Sequence, residues 1–156
     1  MFDNLRAGFR FQEIQSGTYH LTAKPEEERP VSFTANASVD NVVKCMRDMT
    51  ATLEGTLDME GFADHVPLEG TLEFNPLLGR VLRYQFTFTA NDGKTYRYAG
   101  QKEFRLLDLP GSITTLPGAV YDEGGDEVAR VLTRFNLQSD LVPFLMSWRP
   151  VLPIVG

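Results

Sequence analysis

Hydrophobic and polar positions alternate along most of the chain. The pattern is clearest from Arg80 to Leu107. Tyr84, Phe86 and Phe88 share one face of this stretch, and Arg83, Gln85, Thr87 and Thr89 share the other. Such period-two alternation predicts a strand with one buried face. Asn91-Asp92-Gly93 follows, a turn whose residues tolerate the positive φ that tight hairpins need. Tyr96, Tyr98, Gly100, Lys102 and Phe104 then alternate with Arg97, Gln101, Glu103 and Arg105, giving the second arm of a long hairpin.

The same reading extends outward. Gly8 to Gln15 alternates, with Phe9, Phe11 and Glu13 on one side and Arg10, Gln12 and Ile14 on the other. Ser16-Gly17 reads as a turn, and Tyr19 to Ala23 as a short second strand. The segment from Lys24 to Pro30 reads as an exposed loop with prolines near its ends. Val31, Phe33, Ala35 and Ala37 form one face of a third strand. A helix capped by Ser38 or Asp40 is expected next, with Val42, Cys45, Met46 and Met49 on its apolar face. Leu53-Glu54-Gly55-Thr56-Leu57 recurs as Leu68-Glu69-Gly70-Thr71-Leu72. These copies read as neighbouring antiparallel strands joined through Gly61 to His65. They set leucines on one face and make Glu54 and Glu69 possible neighbours.

Beyond the central hairpin, Leu109-Pro110-Gly111 breaks the chain. A strand from Ser112 to Asp122 is interrupted at Pro117-Gly118, which signals an edge or a bulge. A turn at Glu123 to Asp126 leads into a strand from Glu127 to Leu137. A second short helix is expected near Ser139-Asp140, carrying Leu141, Phe144, Leu145 and Trp148. Together these elements predict an all-β protein: an antiparallel up-and-down barrel of about nine strands with two short helices, one domain over residues 1–156. A barrel is preferred because closure removes exposed edges.

Composition narrows the functional classes. The 156 residues are 42% hydrophobic and 23% charged, which suits a globular domain with a substantial core. A formal net charge of −6 and the lack of any Lys/Arg cluster argue against a nucleic-acid partner. No polybasic segment suggests a membrane surface, and no apolar run is long enough to predict a membrane span. The single cysteine, Cys45, forms no intrachain disulfide. The first residues lack the apolar core of a signal peptide, so a soluble cytoplasmic protein is expected.

Candidate chemistry is sparse. The two histidines, His20 and His65, lack metal-ligand spacing, so no metal site is expected. There is no nucleophile elbow, P-loop or dinucleotide fingerprint, so no catalytic residue or cofactor is assigned. Glu13 and Lys102 are the sharper clue, because parity places both on apolar faces. An inward charge costs several kcal/mol unless paired, so the two are expected to meet inside the barrel or to bind a polar head group. With Phe11, Tyr84, Phe86, Tyr96 and Tyr98 they make the candidate ligand-binding set. Ala35, Ala37, Gly55, Gly70 and Gly100 leave room on the same faces.

Three stretches also resemble the extra β-rich segment of some large bacterial flavin-type oxidoreductases of the GMC (cholesterol oxidase-like) group. That segment has an F-x-E-x-M-x-G start, a later G-x-K-x-x-R and then T-T-L. Here Phe11 to Gly17 is similar, with Gln15 in place of the methionine; Gly100 to Arg105 and Thr114-Thr115-Leu116 match. The resemblance implies an accessory domain that works beside apolar substrates. The flavin fingerprint is missing, so it implies no oxidoreductase activity here. The barrel is also similar in architecture to the lipocalins, without their Gly-x-Trp motif.

The reading from sequence is thus a small barrel that binds an apolar, lipid- or sterol-like ligand and acts as a non-catalytic carrier. One alternative is an interaction subunit with a filled core, whose apolar tail Val151 to Val155 packs on a partner or on a second copy to form a homodimer. The other is an enzyme acting on an apolar substrate, with Glu13, Lys102 or His20 as acid or base.

Overall fold

The computed structural model describes residues 8–39, 50–75, 81–103, 115–135 and 149–151. Side chains are described for most of these, but not for Phe9, Phe11 or Phe74. The described chain is all-β: β1 (Gly8–Leu21), β2 (Arg29–Val39), β3 (Thr50–Met59), β4 (Ala63–Asn75), β5 (Val81–Thr89), β6 (Thr95–Glu103), β7 (Thr115–Tyr121), β8 (Glu127–Arg134) and the short β9 (Arg149–Val151). Each of β1 to β7 pairs antiparallel with the next, and β8 returns to β1, so the first eight strands close into an up-and-down barrel. The short β9 adds to the start of β1 through Gly8↔Val151 and Arg10↔Arg149.

The registers fix the barrel's girth. Phe11 pairs with Ala37, Ala37 with Leu53, Leu53 with Gly70 and Gly70 with Phe86. Phe86 pairs with Tyr98, Tyr98 with Val120, Val120 with Ala129 and Ala129 with Leu21. One circuit therefore returns to β1 at residue 21 instead of residue 11, a stagger of 21 − 11 = 10 residues. With strands about 4.8 Å apart and a rise of about 3.3 Å per residue, this tilts the strands by about 41° and puts the backbone about 8 Å from the axis. A barrel of that size either fills with side chains or holds one small ligand.

Two local readings are corrected. Ser16-Gly17 is not a turn, because β1 runs unbroken through it for 14 residues. Gly17 serves a close approach instead: a Cβ there would overlap the Leu132 carbonyl of β8. Glycine thus lets β1 press against β8 where the barrel closes. Pro117-Gly118 likewise does not interrupt β7. Pro117 pairs with Leu132, and the register shift falls at Val120–Tyr121.

The LEGTL copies pair as expected. Leu53 faces Gly70, Gly55 faces Leu68 and Glu54 faces Glu69. The connection between them is shorter than expected, because β4 already begins at Ala63. No helix occurs among the described residues, so none there is long and apolar enough to cross a membrane. Ser38, one expected helix cap, belongs to β2. The rest of that helix, Cys45 included, and the helix expected from Ser139 lie outside the described residues. So do Phe104 and the tail beyond Val151.

Candidate functional site

Inward-facing residues stack in three tiers along the barrel. The lowest lies against the short hairpin turns. Phe62 packs on Tyr96 with ring centroids 5.0 Å apart and on Phe88 at 6.3 Å. The turns beneath are tied together: Asn91 N–H donates to the Phe62 carbonyl at 2.9 Å, and the Asn91 side chain donates to Asp64 at 2.8 Å. Tyr19 OH donates to the Glu60 carbonyl and fastens β1 to the β3–β4 turn. This end of the barrel is sealed.

The middle tier is also aromatic. Phe86 stacks on Tyr98 at 4.5 Å, and both meet Phe33, at 5.5 and 5.8 Å. Tyr98 leans along β6, away from the hairpins, and lies over the cross-strand pair Gly100↔Gly118. A Cβ at Gly118 would come within 2.7 Å of the phenol ring, and one at Gly100 would also collide with it. The ring fits only because both neighbours lack a side chain.

The upper tier is polar. Glu13 and Lys102 meet, one of the outcomes their parity allowed: Lys102 Nζ lies 3.4 Å from Glu13 Oε1, with the two side chains only 4% and 10% exposed. Tyr84 OH donates to Glu13 Oε2 at 2.8 Å, and Gln15 Nε2 donates to Glu13 Oε1. The ammonium also lies 5.3 Å from the centre of the Tyr84 ring, within cation–π range. Burial pushes the Tyr84 hydroxyl well above its ordinary pKa, and the Glu13 charge adds to the shift. Tyr98 is raised for the same two reasons. Both phenols are therefore protonated, and Tyr84 can only be the donor to the carboxylate.

Two atoms stand out. Gln15 Oε1 and Tyr98 OH are fully buried and have no hydrogen-bond partner among the described residues. Both residues border Phe33, the cross-strand partner of Gln15 and a ring neighbour of Tyr98. Burying an amide or hydroxyl without a partner costs about 1–3 kcal/mol.

The candidate residues therefore divide. Glu13, Tyr84 and Lys102 form one cluster. Phe86 belongs to the layer beneath it and Tyr98 reaches from that layer towards it. Tyr96 sits apart at the sealed end, where it donates to Asp92 Oδ2 at 2.7 Å. That bond pushes its pKa up to about 12. Phe11 is on β1 opposite Ala37, but its side chain lies outside the described part. His20 pairs with Arg130 at the far end of β1, on the opposite parity from Glu13, and so does not join the cluster. His65 is on the outside, 3.4 Å from Asp58.

Gln15 was missed in sequence. Parity with Glu13 marked it as inward, but the turn reading of Ser16-Gly17 cut the strand just beyond it. A shallow groove of about 600 Å³ also lies on the outer wall, lined in part by Ser16, Ser32, Asp58 and Glu60. Among the described residues no three His, Cys, Asp or Glu side chains gather as a metal site.

Comparison with protein-family models, curated proteins and solved structures returned no match.

Proposed function

We propose that this barrel is a non-catalytic carrier, or accessory domain, for a small apolar molecule with one polar end. One observation carries the reading: a buried polar cluster with two unsatisfied atoms inside an otherwise apolar barrel. A core selected only for stability does not keep unpaired polar atoms. A ligand head group would satisfy them, and apolar walls with a few convergent polar groups are what small-molecule sites present. The resemblance to the accessory segment of GMC-type oxidoreductases points the same way, towards apolar molecules.

The cluster suits holding better than proton transfer. Glu13 already accepts from Gln15, Tyr84 and Lys102, so its carboxylate oxygens are engaged within the cluster. His20, another of the acid–base candidates, lies elsewhere.

Native mass spectrometry of freshly purified protein, followed by organic extraction, tests the proposal. An added mass that leaves with the organic phase is expected. A protein that remains bare after expression and after incubation with a lipid extract would refute the carrier.

A further inference from the structure

We infer that the polar end of the ligand is an uncharged hydroxyl, so the barrel selects apolar alcohols over fatty acids; this rests on the carrier reading above. Among the described residues the buried charges of the lumen are Glu13 and Lys102, which pair at 3.4 Å. An added carboxylate would be a buried charge without a counter-ion, which is strongly disfavoured. Hydrogen-bond capacity gives the same answer. Glu13 accepts only, so the end of Gln15 that meets it is the NH₂ group. The Gln15 atom left over is therefore the acceptor, Oε1, and it needs a donor. The Tyr98 hydroxyl both donates and accepts. An alcohol O–H can donate to an acceptor such as Gln15 Oε1, and its oxygen can accept from a hydroxyl such as that of Tyr98. A carboxylate has no proton to give, so it leaves Gln15 unmatched and sets negative oxygens against its carbonyl.

The test titrates the intact protein with decanol, decanoic acid and decane at neutral pH by calorimetry, alongside the variant Tyr98→Phe. Decanol is expected to bind at least about tenfold more tightly than decanoate or decane, the difference of about one charge-free hydrogen-bond set. Tyr98→Phe is expected to remove most of the preference for decanol over decane while leaving decane itself unchanged. Decanoate binding as tightly as decanol would overturn the inference and leave the carrier standing. Equal weakening of all three by Tyr98→Phe would also overturn it, by making the hydroxyl structural. Failure of all three probes to bind would count against the carrier itself, and the inference would fall with it.

Discussion

Replacing Lys102 with methionine removes one charge from the lumen and nearly preserves the side-chain volume. The partner, Glu13, is then left with Gln15 and Tyr84 as its donors among the described residues. Breaking a buried ion pair costs about 3–5 kcal/mol, because an uncompensated charge remains. The two surviving hydrogen bonds put Lys102→Met near the lower end, about 3 kcal/mol. A domain of ordinary stability, about 5–15 kcal/mol, stays folded after that loss. Adding Glu13→Gln removes the second charge and should recover most of the stability. The coupling energy from the four-member cycle should be about 2 kcal/mol or more. The exposed pair Arg130–Glu127, with side chains 67% and 27% exposed, serves as a control and should couple by less than about 1 kcal/mol. Urea unfolding followed by far-UV circular dichroism measures all of these. A Lys102→Met cost below about 1 kcal/mol, or a coupling no larger than the surface pair's, would refute the buried pair.

Other consequences concern the same lumen and the outer wall. Gly118→Ala should cost about 1–3 kcal/mol, because the new methyl displaces the Tyr98 ring; near-UV circular dichroism should change with it. Alkaline unfolding should be tyrosine-linked. Tyr84 and Tyr98 ionise later in the folded state than in the unfolded state, where the value is about 10. The stability they contribute is complete below pH about 10 and is lost above it, by roughly 1.4 kcal/mol per pH unit for each phenol until it ionises in place. Absorbance titration at increasing urea checks this. Glu54→Lys should stabilise by about 0.2–1 kcal/mol at low salt and by less at high salt, since Glu54 faces Glu69 directly across two strands.

Parity was the most legible property of the sequence. It placed Tyr84, Phe86, Phe88, Glu13 and Lys102 inside, and the LEGTL copies disclosed the register of β3 on β4. What it withheld was height along the barrel. Tyr84 and Tyr96 share a face, yet one bonds Glu13 and the other Asp92 at the sealed end. Height follows from the ten-residue stagger, which is a sum over all eight ladders and is written in no single strand. Gly17 was opaque for a different reason. A glycine after serine resembles a turn until the carbonyl of Leu132, more than a hundred residues away, is seen to occupy its missing side chain. That misreading also hid Gln15. The unpaired Tyr98 hydroxyl follows from Gly100 and Gly118 together, which share a rung only once β6 and β7 are paired.

The most direct test of the central claim is the unfolding free energy of ligand-free Tyr98→Phe. If the hydroxyl is kept for a ligand, removing it relieves an unsatisfied buried group, and the variant should be more stable than the native protein by up to about 1–3 kcal/mol. A loss of stability of similar size would show that the hydroxyl belongs to the fold, and the lumen would then be an ordinary core.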